Sequence, residues 1–285
     1  TEPKNDDASG DAAAFKFGVS CALTGTNAHA GEALMEAINM YVEDLNANGG
    51  LNGRQVEVIA YDDANAPEEA VKCATKLVEV DKVDAAFAGF SSSCILANGA
   101  IFEKAEIPFF FGGLSPSLTS QGWKYAVRTS LNTNNNIPAL PGILKKLNLT
   151  SIAMFLGQDD YGTTCGTNMK AAAEANGITI TTTENYVSGD TDFSGQVNKI
   201  IASDPDAVFL GAVANETGTL VKQLRQYGWS GLIFGSELIN TAQLEIAAGA
   251  GDYMMFAYPY VVYDNLDLYA DANVEMKEFQ QKVYD

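Results

Sequence analysis

Three consecutive serines, Ser91, Ser92 and Ser93, follow an apolar run at 83–89 that ends in Gly89. A helical pattern begins directly after them, over about 94–104. An apolar run without alternation suits a strand buried on both faces of a parallel sheet. At the head of the next helix the backbone N–H groups are free and the dipole is positive, so an anion is favoured there, and hydroxyls add donors. The same serines also read as plain N-caps. In an open α/β sheet, ligands bind beyond the carboxyl ends of the strands. The segment therefore has the position and the chemistry to hold a small carboxylate.

A second constellation complements it. Gly235-Ser236-Glu237-Leu238 follows a short strand pattern at 232–234 in the second half of the chain. Facing Ser91 across a cleft, the Glu237 carboxylate would complete a two-ended grip on a zwitterion, with hydroxyls and N–H groups on the carboxylate and Glu237 on the ammonium. The plainer reading of Glu237 is an exposed loop residue. Catalytic arrangements are not indicated. The single histidine, His29, has no marked partner, and no nucleophile has a base in view. Asp62-Asp63 lacks further carboxylates at ligand spacing and reads as a turn or cap pair. The glycines of 24–31 do not fit the spacing of a nucleotide-binding turn. We expect no enzyme activity, no cofactor and no metal.

Thirty-six acidic residues against 17 basic ones give a net charge of −19, which disfavours nucleic acid as a partner. A local helix N-terminus can still outweigh that field at an anion site. No apolar run is long enough for a membrane span. Residues 1–14 are acidic and small, as in a flexible tether. That tether and the lack of a charged, apolar leader suit a secreted or lipid-anchored chain whose signal peptide has been removed. The four cysteines form no CxxC pair. Cys73 and Cys94 fall on neighbouring predicted helices, where a bridge and free buried thiols are both open.

These groups must be positioned by alternating elements. Strand signals at 15–23, 56–61, 83–89 and 107–111, with an extended segment at 125–129, alternate with helical patterns at 29–48, from 65 and from 94. The polar run 132–136 reads as a crossover. Strands at 151–156, 178–186, 207–211 and 232–234 then alternate with helices at 162–176, 193–202 and 216–227, before a last apolar run at 253–262. This order predicts parallel sheets with helices on both faces. Two such series predict two doubly wound α/β lobes: residues 15–131 with a return at 253–285, and residues 132–252.

Several motifs together resemble the Leu/Ile/Val-binding type of periplasmic binding protein. They are Lys16-Phe17-Gly18-Val19 with Leu23-Thr24-Gly25, Asn48-Gly49-Gly50-Leu51-Asn52-Gly53-Arg54, Tyr61-Asp62-Asp63 with Pro67-Glu68-Glu69-Ala70-Val71, Tyr161-Gly162, Gly189-Asp190-Thr191-Asp192-Phe193-Ser194 and Pro205-Asp206-Ala207-Val208-Phe209. The resemblance implies a type I fold of two lobes hinged about one cleft, and delivery of a small-molecule ligand, an amino acid above all, to the membrane permease of an ABC importer. It implies an extracytoplasmic location and a monomer. It also implies that Ser91, with Ser92, takes the ligand carboxylate, helped by Gly112 and the loop to Ser115, where Leu114 replaces a usual threonine. Tyr161 would line the cleft and Glu237 would take the ammonium. Val213 and, from the first turn, Asn27 and His29 complete the candidate ligand set. A sensory ectodomain of the same fold is the alternative function.

The departures bear on specificity. Ala30 stands where branched-chain binders carry a large aromatic side chain, and Val213 and Ala214 stand where tyrosines are common. The resemblance therefore implies a roomier site that suits a larger side chain than valine. The family also continues past the position of Asp285, so a shortened carboxyl-terminal part is expected.

Overall fold

A computed structural model describes residues 13–25, 27–212, 214–235, 245–247, 249–252 and 254–256. The first lobe carries β1 (Phe15–Cys21), α1 (Ala28–Ala47), β2 (Val56–Asp62), α2 (Pro67–Lys76), β3 (Ala85–Phe87), α3 (Ser92–Lys104), β4 (Phe109–Phe111) and β5 (Ala126–Arg128). Its five strands run parallel in the order β2-β1-β3-β4-β5. The second lobe follows with α4 (Thr133–Asn136), α5 (Leu140–Lys146), β6 (Ser151–Gly157), α6 (Asp160–Asn176), β7 (Thr179–Tyr186), α7 (Ser194–Ala202), β8 (Ala207–Gly211), α8 (Ala214–Gln226), β9 (Leu232–Gly235) and β10 (Met254–Phe256). Its sheet is also parallel, in the order β10-β9-β8-β6-β7.

The pattern of burial explains the layering. In β6 and β8 nearly every residue is buried, as expected for central parallel strands covered on both faces. One face of the second sheet packs Ile152, Met154, Phe209 and Phe234 under α6. The other packs Phe155, Tyr186 and Phe193 with α7 and α8. Phe155 and Tyr186 stack with centroids 4.8 Å apart, and Phe193 meets both rings edge-on. In the first lobe, Phe102 of α3 packs with Phe109 and Phe111 of β4, and Trp123 lies edge-on to Phe109.

Two expectations are corrected. Residues 132–136 are not a bare crossover. Asn132 accepts a hydrogen bond from Asn134 N at 3.0 Å and opens α4, which passes through a tight turn into α5. Ile137, Leu140 and Leu144 are buried at helical spacing, and this apolar stripe overrides the breaking tendency of Pro138 and Pro141. The run predicted to return to the first lobe at 253 instead begins in the second sheet. Met254–Phe256 pairs with β9 and satisfies that strand's outer ladder.

Candidate functional site

Both sheets reverse their strand order at a central strand. In the first lobe the switch lies between β1 and β3, and in the second between β6 and β8. Loops leaving those strand ends diverge and leave a crevice. β3 stops at Phe87, and Gly89 just beyond it has a φ of 101° and a position where a Cβ would lie 3.0 Å from the Ser20 carbonyl oxygen. Only glycine fits that turn, and it brings Ser91 to the head of α3. Ser91 stands at the N-cap position, yet its side chain makes no capping hydrogen bond. The hydroxyl makes no backbone cap and faces the Cys94 thiol instead, which leaves the plain cap unsupported. Burial pushes the neighbouring Cys94 thiol up to about 12, with the Ser91 hydroxyl acting in the opposite direction.

Ser92 points elsewhere. It is buried, and its Oγ accepts a hydrogen bond from Ser115 N at 3.2 Å, tying the loop after β4 to α3. Gly112 donates to the Gly89 carbonyl at 3.0 Å, and a Cβ there would strike the Phe90 ring. Leu114 leaves the first lobe altogether. It packs in one buried cluster with Tyr161, Ile137 and Cys165 of the second. Leu114 and Tyr161 are thus brought together by the structure as an apolar joint. α6 can approach this joint because Gly162 lies directly against the Gly157 backbone, where a side chain would overlap the carbonyl.

The two strand-end edges face each other in direct contact. Asp160 N donates to Ser93 Oγ at 3.3 Å, and Ser117 Oγ donates to Asp160 Oδ2 at 3.0 Å. Ser115 Oγ lies 3.2 Å from Thr164 Oγ1, and Thr164 Oγ1 donates to the Asp160 carbonyl at 2.8 Å. Within the second lobe Asn168 braces α6 against α4 by donating to Thr133 Oγ1 and Asn134 Oδ1, both at 2.9 Å. Asp159 caps α6 through a 2.7 Å bond from Gly162 N. Burial raises its carboxyl pKa, and the Asp160 charge adds to the rise. This polar seam was not foreseen from the sequence. An Asp-Asp pair preceding Tyr161-Gly162 is a helix-start signal that could have revealed half of it.

The remaining candidates divide. Asn27 caps α1 by position only, without a side-chain cap bond, and both it and His29 are half-buried at the first turn. Ala30 is half-buried beside them. Val213 and Glu237 lie outside the described residues, as does the side chain of Ala214. Asp62 plays the expected turn role. Its Oδ1 accepts from Leu23 N and Ala64 N, both at 2.8 Å, and its Oδ2 from Thr24 Oγ1. Burial opposes ionisation, but these bonds prevail and lower its pKa. Asp63 is more deeply buried, and burial raises its pKa. Cys73 and Cys94 are not bridged: none of the four cysteines is in a disulfide, and all four are buried. Among the described residues no group of His, Cys, Asp or Glu is arranged to hold a metal, and no helix is long and apolar enough to cross a membrane.

Two parallel-sheet lobes whose strand-end edges meet in this way make a two-lobed α/β architecture. A family profile described as periplasmic binding protein matches residues 14–284, and the chain belongs to that family. Among its relatives is a Pseudomonas aeruginosa amino acid binding protein, 29% identical over 240 residues, which cover 84% of this chain and 64% of the relative. Another is the leucine-, isoleucine-, valine-, threonine- and alanine-binding protein of the same organism, 28% identical over 85% of this chain and 65% of its own length. The chain therefore spans just under two thirds of each. In fold it is similar to the branched-chain amino acid transporter substrate binding protein of Streptococcus pneumoniae, solved with isoleucine. The TM-score is 0.85 and the identity 24%, over 95% of this chain and 78% of that one. It is also similar to a Rhodopseudomonas palustris solute binding protein solved with benzoate, with a TM-score of 0.81 and 22% identity, over 94% of this chain and 72% of that one. The expected type I fold and Leu/Ile/Val-binding kinship are borne out.

Proposed function

We propose that this protein binds an amino acid or a similar small carboxylate between its lobes and presents it to the membrane permease of an ABC importer outside the cytoplasm. The single observation that carries the reading is Ser91. It stands at the head of a 13-residue helix, beyond a strand end at the switch point, with its hydroxyl not spent on capping. Free N–H groups and the dipole at that helix head favour a carboxylate. In this reading Glu237 takes the ammonium of the ligand. Ala30, with Val213 and Ala214, leaves room for a side chain larger than valine, because unfilled apolar volume forfeits dispersion contacts. The names of the relatives support an amino acid, and the benzoate complex shows that this fold accommodates an aromatic carboxylate.

A thermal-shift screen of amino acids and benzoates, followed by calorimetry, tests the reading. Ligand that binds only the folded state raises the melting temperature by mass action. Phenylalanine is expected to bind more tightly than valine. Tighter binding of valine overturns the specificity argument. No shift with any amino acid or carboxylate overturns the function.

A further inference from the structure

Arg128 is a half-buried cation on an edge strand of the first sheet. Arg128 is the last residue of β5, in register with Phe111 of β4. Its guanidinium lies 5.1 Å from the centroid of the Phe111 ring. One terminal nitrogen donates to the Gly113 carbonyl and the other to the Ser115 carbonyl, the latter at 2.6 Å. Its Nε is buried and has no hydrogen-bond partner. Among the described residues the ion pairs are Arg54–Asp84, Lys72–Glu69 and Lys199–Glu184, so no carboxylate neutralises Arg128. Burial accordingly lowers its pKa. A partly buried cation without a counter-ion is costly unless something else compensates it.

The geometry of the loop shows what can. In a planar trans peptide the C=O and N–H point in opposite directions. With the Gly113 carbonyl held on the guanidinium, the Leu114 N–H in the same peptide points away from it. Among the described residues neither the Gly113 nor the Leu114 N–H donates a hydrogen bond, whereas Ser115 N is held by Ser92 Oγ. The loop thus presents backbone donors with a cation behind them. Hydrogen bonds in such a chain polarise one another.

We propose that Arg128 is a positioning residue for anion recognition: it fixes the Gly113 and Ser115 carbonyls so that the Gly113 and Leu114 N–H groups are oriented and polarised toward the ligand carboxylate. This rests on the proposed function for the site, and it assigns the carboxylate's long-range counter-charge to a residue that need not touch it. The fork of the guanidinium suits this task, because each terminal nitrogen takes its own carbonyl at a fixed separation that a rotatable ammonium does not impose.

The test uses the full chain and the variants R128Q and R128K. Hydrogen exchange on ligand-free protein reads the loop. Both variants are expected to speed exchange at residues 112–118 by about tenfold or more, leaving the β6 segment unchanged. Calorimetry with L-phenylalanine and L-phenylalaninamide reads the charge. R128Q is expected to lower affinity for the acid by about tenfold while leaving the amide unchanged, and R128K is expected to recover part of that loss. Unaltered exchange at 112–118, or an acceleration spread evenly over both lobes, overturns the proposal. So does an equal loss for acid and amide. If the unmutated chain binds neither probe, the functional reading is weakened, while the exchange comparison still decides the role of Arg128.

Discussion

Ser91 and Asp62 show two opposite uses of a polar side chain at a strand end. Ser91 keeps its hydroxyl free of capping. Replacing it with alanine is therefore expected to weaken carboxylate binding by about 1–3 kcal/mol, since a charged acceptor loses a hydrogen bond. The melting temperature of the ligand-free protein should hardly move, and calorimetry paired with a thermal melt checks both halves. Asp62 is committed to structure. Its pKa is lowered in the folded state by hydrogen bonds from the Thr24 hydroxyl and the backbone of residues 23, 24 and 64, which together outweigh the opposing burial. Such a group stabilises the fold above the unfolded carboxyl pKa, near 4, and the contribution is lost as pH falls through the lower folded value. Asp62→Asn is expected to melt earlier than the parent at pH 7, with the difference shrinking below about pH 4. A difference that persists unchanged to pH 3 would contradict this assignment.

At the scale of elements, Leu144 carries the test of the corrected segment. Its side chain is fully buried beside Ile137 and Leu140 in the cluster that also holds Tyr161 and Leu114. Leu144→Ala should cost about 2–5 kcal/mol through lost burial and the cavity left behind. A denaturant titration measures it, and a cost below about 1 kcal/mol would mean that α5 is not part of the core. The sequence carried that stripe at 137, 140 and 144, but two prolines and a run of asparagines masked it. Most of the strand–helix alternation was readable, because central parallel strands are continuous apolar runs and Gly49, Gly89 and Gly177 punctuate them. The Ser91 segment was readable for the same reason. The Asp160 seam and the Arg128 fork were not, because they join groups 43 and 13 residues apart whose meeting depends on how loops leave a folded sheet. The place of Met254–Phe256 was missed for a related reason: an apolar run gives a strand but does not say which sheet has an edge to offer.

For the molecule as a whole, the seam at Ser93, Ser115, Ser117, Asp160 and Thr164 sets how the lobes approach each other. Its hydrogen bonds link α3 and the loop after β4 directly to α6, without passing through a ligand. Removing the Asp160 carboxylate should shift the lobes toward separation. Asp160→Ala is expected to raise the radius of gyration of the ligand-free protein in small-angle scattering, and to weaken binding because closure then draws more heavily on ligand contacts. An identical scattering curve for the variant would show that the seam does not bias the lobes.

The four buried thiols have a practical consequence. Burial is the leading cause that pushes Cys21 and Cys94 to about 12 and Cys73 to about 11, and Cys165 is fully enclosed in the second-lobe core. At pH 8 only about one in 10³ to 10⁴ of the three perturbed groups is thiolate, the form that reacts with maleimides. The chain therefore offers a nearly silent background for site-directed labelling. A cysteine introduced on each lobe at an exposed position, such as Tyr41 and Tyr227, should take a fluorophore pair while the native four stay in place. Energy transfer between the dyes would then follow the opening and closing of the cleft in real time, in a protein whose own sulfur chemistry has been left intact.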